Sequence, residues 1–446
     1  MKKYFLLLLF LILSISLYSF PDNLVFYFQN PIKFNDLDKI KELYKNKIIS
    51  SINRLYDKNK IQAFSVAIFD RNSILFEYHK NSSPFKLYQT ASVSKLITAT
   101  LTQIFFQNKI FNPDDKLIHF YPNLKVAKKE WLNQITLEHL LTHTAGFPDL
   151  RYYKKRDLIQ YPEFDFKIPL TIYPPGKHYR YSNHGYMILG KIIEKKCKMS
   201  IEECAKKYIY KQLEMQYSKG PKTGAGGFIT NINDIIKFGQ MYLNFGYYKN
   251  KEILTLNSIF DMFIPGFYIP PSKSKLYTGR GWRIKYNPFM FTMFHIGGDN
   301  YVSAWLQLFP FDGYGLVYLG SPHSYDDEVM NFLYGMQQLL AKLTALYAKR
   351  DFSMVLWNPS QPSENLKKQF IGTYKEINSG EIIIINFVNE NLNLTSNQNY
   401  SYLLFSETHH IYRGGKDFLT HHFIINEKNH NVEAMANAQG YYVKIQ

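Results

Sequence analysis

Cysteine is almost absent: Cys197 and Cys204 are the only two in 446 residues. That excludes a disulfide-stapled scaffold and a thiolate-rich metal centre. The stretch between them starts a helix capped by Ser200, and either one disulfide or two buried thiols fits that spacing. Beyond the N-terminus no uninterrupted apolar run is long enough to span a bilayer. Basic residues outnumber acidic ones, 53 against 36, for a net charge of +17, yet no basic stripe or nucleic-acid-binding motif gathers them. No nucleic-acid partner is therefore expected. Scattered positive charge suits contact with an anionic envelope surface or peptidoglycan. Histidines occur as the adjacent pairs His409-His410 and His421-His422, but neighbours on a strand point to opposite faces, so each pair offers one ligand. No metal and no organic cofactor is expected. No internal repeat is present, which excludes a solenoid.

What the chain does have begins with a charged start at Lys2 and Lys3, an apolar run from Phe5 to Leu13, and the small residues Ser14, Ser16 and Ser19. Residues 1–19 read as a signal peptide, which implies an exported, periplasmic or secreted protein. An uncleaved N-terminal membrane anchor is the alternative, because Leu17 occupies a position where cleavage favours a small residue. Helical spacing of apolar residues predicts a helix over 36–56. Strands follow at 64–69 and 73–78, and then comes a helix over 92–107 that is apolar around most of its circumference. Further helices are predicted from Gly185 to Lys196, from Ser200 to Leu213, and from Thr230 to Leu243 with a Thr-x-x-Asn cap signal. Strands lie between Arg280 and Leu319, and a long helix over 325–350. Strands at both ends of a helical middle give an α+β domain over residues 20–355. A Pro-rich linker at 357–362 leads to short strand-like runs, so residues 356–446 read as a small all-β domain, a barrel.

Ser-x-x-Lys places a hydroxyl and an amine one turn apart, so a neutral lysine can take the serine proton during attack on a carbonyl. The pattern occurs at Ser83, Ser92 and Ser272. Pro84 interrupts the first and the last sits in a Pro- and Lys-rich loop. Ser92 opens the buried helix, where the helix N-terminus favours developing negative charge. For Lys95 to be substantially neutral at pH 7 its pKa must fall by about 3 units, roughly 4 kcal/mol, which burial can supply. Tyr181-Ser-Asn183 offers a phenol to relay the proton and an amide for a substrate carbonyl.

Tyr181 is singled out by its surroundings, Pro174-Pro-Gly-Lys-His-Tyr-Arg-Tyr-Ser-Asn-His-Gly-Tyr-Met-Ile-Leu-Gly190. Four further segments stand in order with it: Ala91-Ser-Val-Ser-Lys95, Leu137-Glu-His-Leu-Leu-Thr-His-Thr-Ala-Gly146, Gly224-Ala-Gly-Gly-Phe-Ile-Thr230 with Asp234, and His295-Ile-Gly-Gly298. Together they resemble the class C β-lactamase-related serine hydrolases over roughly residues 40 to 350. The resemblance implies a β-lactamase/transpeptidase-like fold, an antiparallel sheet flanked by helices plus a helical subdomain. It makes Ser92 the nucleophile, gives Lys95 and Tyr181 the general-base and general-acid work, and sets Asn183 against substrate. His295-Ile-Gly297 is similar to the family's third motif, and Gly298 would donate a backbone N–H to the oxyanion together with that of Ser92. Lys222-Thr-Gly224 comes too early in the family's order and reads as a chance match. With histidine at the third motif a fixed cation for a substrate carboxylate is missing unless His295 is protonated. His143, Asp115 and Asp234 read as structural. The C-terminal domain resembles the lipocalin-like appendage of some relatives. The implied function is acyl transfer to Ser92 from an ester, amide or D-amino-acid peptide, then hydrolysis, with a small-molecule or peptide substrate as partner. The alternatives are a catalytically inactive wall-associated or ligand-binding protein that keeps the fold, and a carrier whose C-terminal barrel provides the function.

Overall fold

A computed structural model describes residues 37–148, 158–171, 173–264, 267–269, 276–287, 290–299, 301–323, 326–347, 368–376, 381–388, 391–396, 400–406, 411–414, 419–425, 432–436 and 441–445. The expected signal peptide, the 355/356 boundary, the Pro-rich linker, the Ser272 repeat of Ser-x-x-Lys and the pair His409-His410 lie outside the described residues.

The sheet is built from both ends of the first domain. Strands β1 (Ile61–Asp70) and β2 (Ile74–Lys80) form a hairpin. Two short strands, β3 (Tyr88–Gln89) and β4 (Ile229–Thr230), pair with each other. β5 (Phe267–Ile269), β6 (Leu276–Thr278), β7 (Arg283–Asn287), β8 (Met290–Asp299), β9 (Val302–Phe309) and β10 (Tyr314–Pro322) complete an eight-stranded antiparallel sheet in the order β2-β1-β10-β9-β8-β7-β6-β5. The inner strands are apolar without alternation; every residue of β9 is buried, as expected for a sheet covered on both faces.

Helices cover the sheet. α1 (Leu37–Asp57) and α7 (Asp327–Tyr347) pack on each other; their numbering includes, between them, α2 (Ser94–Gln107), α3 (Asn183–Cys197), α4 (Ile201–Ala205), α5 (Ile232–Leu243) and α6 (Leu256–Phe263). Residues Ser94 to Phe105 of α2 are all buried. Its polar side chains are satisfied internally: Thr98 donates to the Gly224 carbonyl at 2.8 Å and Thr102 to that of Thr98 at 2.8 Å, so a helix with three buried threonines and a buried glutamine bears the interior. One of those expectations shifts. Ser92 does not open α2 itself but sits in a 3₁₀ turn, Ala91–Val93, ahead of it. The turn is tightened because Ser94 Oγ donates to the Ala91 carbonyl. α5 is capped by Asn231, whose side chain accepts from Asp234 N–H, rather than by Thr230. Ser200 caps α4 in a capping box with Glu203, and a π-helical stretch, Lys206–Tyr210, continues it. Cys197 and Cys204 are joined as a disulfide between the end of α3 and α4.

In the C-terminal part eight antiparallel strands close on themselves: β11 (Gly372–Glu376), β12 (Ile382–Val388), β13 (Asn391–Ser396), β14 (Tyr400–Ser406), β15 (Ile411–Gly414), β16 (Leu419–Ile425), β17 (Val432–Ala436) and β18 (Tyr441–Lys444). Pairing of β11 with β18 makes the closure, which removes the exposed edges an open sheet would carry.

Candidate active site

Ser92 and Lys95 meet because they stand three residues apart, about one turn, across the junction of the 3₁₀ turn and α2. Lys95 Nζ donates to Ser92 Oγ at 3.3 Å, to Asn183 Oδ1 at 2.7 Å and to the Ala225 carbonyl at 3.0 Å, while the residue is fully buried. An ammonium has three donors, and these three acceptors match them. Its amine also lies 4.9 Å from the centre of the Tyr181 ring, within cation–π range. Asn183 is the first residue of α3, whose N-cap Ser182 accepts from Gly185 N–H, so the cap that starts the helix also aims Asn183 at the lysine. Asn183 thus turns its oxygen to Lys95.

The segment carrying Ser92 is held from both sides. Thr90 N–H and Oγ1 both donate to the Phe228 carbonyl, at 3.0 and 2.9 Å, and Phe228 N–H donates to Ser94 Oγ at 3.0 Å. Ala91 has φ +43, a left-handed conformation that costs a non-glycine residue about 1–2 kcal/mol and that these contacts impose. From the other side β8 brings Gly297 so close that an added Cβ would lie 1.9 Å from the Thr90 carbonyl oxygen and 3.2 Å from Ser92 N. Only glycine fits there. Gly298 follows it, exposed, beyond Phe294, the last β8 residue paired with β7.

His295 is buried, and its Nδ1–H donates to the Ile296 carbonyl at 2.9 Å, which makes Nε2 the ring's acceptor. Burial, then the charges of Lys95 and Arg283, hold its pKa well below the ordinary imidazole range. A protonated His295 is therefore not the missing cation. His143, at φ +58, accepts from Ser182 N–H through Nδ1 at 3.1 Å, and its ring lies against Tyr181 at 4.5 Å and Tyr186 at 4.9 Å between centres. Burial and Lys95 likewise hold it neutral. His143 thus supports the phenol of Tyr181.

A small cavity of about 10 Å³ opens beside these groups, lined by His143, Tyr179, Tyr181, Thr278, Trp282, Arg283 and His295 with Gly279 and Gly281. Two of its polar members, Arg283 and Tyr179, are not among the site residues singled out from the sequence. Arg283, at the start of β7, is the only cation among the described residues lining the cavity, and it hydrogen-bonds Tyr179. Tyr179 stands two residues before Tyr181 within the Pro174–Gly190 segment. Lys222-Thr-Gly224 lies in a turn, with Thr223 N–H donating to the Gly226 carbonyl, and not on a strand. Asp234 accepts from Tyr217 N–H and Ser218 Oγ, and Asp115 accepts from Asn112 N–H; both brace loops. Among the described residues no cluster of side chains could hold a metal ion.

The buried histidines set an acid limit on stability. Burial lowers the pKa of His139, His143, His178 and His295, that of His178 to about 4. Each is neutral when folded and takes a proton when unfolded below about pH 6.5. The stability they permit is complete above that pH and is lost as the pH falls toward the folded values. The loss is at most about 2 kcal/mol per histidine by pH 5. Glu138, raised by burial, acts in the opposite direction. Denaturant midpoints are expected to hold between pH 8 and 7 and to fall steadily below 6.5; a midpoint unchanged down to pH 5 would contradict neutral histidines.

A model of the Beta-lactamase family matches residues 48–331. A putative D-alanyl-D-alanine carboxypeptidase of Escherichia coli K12 is 23% identical over 282 residues, 49% of this chain and 63% of that protein, so the chain spans less than two thirds of this relative. Among solved structures, SurE with D-Leu aligns at TM-score 0.65 and 16% identity, over 91% of this chain and 100% of that one. A class C β-lactamase in complex with cefoxitin aligns at 0.52 and 17%, over 66% and 98%. These structural likenesses show a shared fold.

Proposed function

We propose that this chain, which belongs to the Beta-lactamase family of serine hydrolases, is an exported enzyme that forms an acyl-enzyme at Ser92 on peptides or esters ending in a free carboxylate. The observation that carries the reading is the contact of Lys95 Nζ with Ser92 Oγ, Asn183 Oδ1 and the Ala225 carbonyl. In the proposed cycle Lys95 in its neutral form takes the proton of Ser92 as Oγ attacks the carbonyl carbon. Tyr181, whose ring lies beneath the amine, passes that proton to the leaving group. The backbone N–H groups of Ser92 and Gly298 receive the developing oxyanion, and water then releases the acid by the same route reversed. Arg283 replaces the cation that His295 does not supply, and its guanidinium suits the terminal carboxylate of a peptide such as one ending in D-alanine. The name of the E. coli relative is in keeping with that substrate. The apolar N-terminal run and the disulfide support export.

Intact-mass spectrometry after exposure to a reactive ester and, separately, a penicillin tests the nucleophile. An adduct is expected on the wild type and none at that site in Ser92→Ala; no adduct from either reagent on folded protein would favour an inactive relative. Arg283→Ala is expected to lower kcat/KM roughly 10- to 100-fold for a carboxylate-terminated peptide, the worth of one charge-assisted hydrogen bond. For the corresponding peptide amide it should change little. Equal losses on both would assign the cation another role.

A further inference from the structure

Four strands along the same face of the sheet from that cavity another set of side chains has the parts of a nucleophilic centre. Glu77 Oε1 accepts from His79 Nε2–H at 2.8 Å, both on β2. His79 Nδ1 lies 2.9 Å from Ser65 Oγ, directly opposite it on β1. With the Nε2 proton turned to the carboxylate, Nδ1 is an acceptor and receives the hydroxyl of Ser65. Ser65 is fully buried and cannot meet a substrate itself. Its Oγ, however, lies 2.8 Å from that of Ser82, which is partly exposed. Tyr88 OH donates to Ser82 Oγ at 2.5 Å and lies 3.2 Å from Ser65 Oγ, and the Ser82 hydroxyl also reaches the Ser83 carbonyl at 3.5 Å; turned instead to Ser65, it completes a chain from Ser82 to Ser65 to His79, with Glu77 behind the imidazole.

Three neighbouring hydroxyls could satisfy one another without an imidazole backed by a carboxylate. The order nucleophile, base, orienting carboxylate is that of an activated serine. The open end of the chain also carries apolar surface: Phe85 is 59% exposed and Leu87 40%, and the Phe85 ring meets Tyr217 edge-on at 5.7 Å. The place is separate from Ser92. Direct pairing runs Gly297, Ala304, Leu319, Ser65, His79 across five adjacent strands, which puts His79 about 19 Å from Gly297 at ~4.8 Å per strand.

We propose that Ser82 is a second acylatable serine, open to activated esters and phosphonates with apolar chains. Its Oγ bonds to the electrophilic carbon or phosphorus as its proton passes to Ser65 Oγ and that of Ser65 passes to His79 Nδ1. The bond to the leaving group breaks and it departs as the stabilised anion, an aryloxide or fluoride, while the imidazolium, paired with Glu77 and partly exposed, gives its proton to solvent. The test uses the full-length Ser92→Ala protein and an alkyl fluorophosphonate, followed by intact mass and peptide mapping. One phosphonyl group is expected on the peptide containing Ser82, absent from the double variant with Ser82→Ala. Labelling should slow on the order of 100-fold or more with His79→Gln, the lower range for loss of a general base. Glu77→Gln, at a more exposed position, should slow it in the same direction if His79→Gln fails to fold. No label on folded Ser92→Ala, a label that survives Ser82→Ala, or a rate indifferent to the variants at 77 and 79 would each overturn the proposal.

Discussion

Lys95→Met should lower kcat/KM for a chromogenic ester about 1000-fold or more while moving the melting temperature by only a few degrees. The activity loss follows from its position: it donates to Ser92 Oγ, and removing a positioned base costs on the order of 10²–10⁴-fold. The small thermal change comes from two opposed effects. Methionine fills the space without a buried cation, which relieves a desolvation cost of several kcal/mol. It also leaves Asn183 Oδ1 and the Ala225 carbonyl without this donor, at roughly 1–3 kcal/mol each. Lys95→Arg should not rescue activity, because a guanidinium does not give up its proton near neutral pH. Steady-state kinetics and a thermal melt on the same preparations decide the matter. More than a tenth of the wild-type activity in a well-folded Lys95→Met protein would move the base role to Tyr181, and Tyr181→Phe would then carry the large loss.

The groups that could be read from the sequence are those whose neighbours along the chain are also neighbours in space. Ser92 and Lys95 share one turn, Tyr181 and Asn183 flank one helix cap, and His295 to Gly298 lie along one strand. Arg283 comes to the site through the β7–β8 hairpin, and a lone arginine in a strand bears no mark of its register. The Ala225 carbonyl is backbone, so no residue type announces it. The helices were legible from apolar spacing because α2 and α5 bury long runs of residues. Their first residues were less so: the 3₁₀ turn before α2 depends on the hydroxyl of Ser94, and the cap of α5 on which of two adjacent polar residues accepts from Asp234. In the C-terminal ring the apolar strands β12 and β16 stand out. β11, β15 and β17, with Gly-Thr-Tyr-Lys-Glu, Ile-Tyr-Arg-Gly and Val-Glu-Ala-Met-Ala, alternate too weakly to be told from turns.

Gly297→Ala should damage stability and activity together. The added methyl would lie 1.9 Å from the Thr90 carbonyl oxygen, a backbone atom. That oxygen also accepts from Val93 N–H at 3.1 Å within the turn that holds Ser92, so it cannot retreat without moving the nucleophile. Overpacking of this kind costs about 1–3 kcal/mol and sometimes more, and displacement of a reacting group by about 1 Å costs on the order of 100-fold in rate. A loss of about 3 kcal/mol in urea and of about 100-fold or more in kcat is expected. Gly335→Ala, in α7, is the control: nothing lies within 4 Å of its added carbon, and helix propensity predicts a gain of roughly 0.5–1 kcal/mol with activity unchanged. A Gly297→Ala protein with normal turnover would mean that β8 can shift away from Thr90. The tight fit against the nucleophile turn would then not be what fixes Ser92.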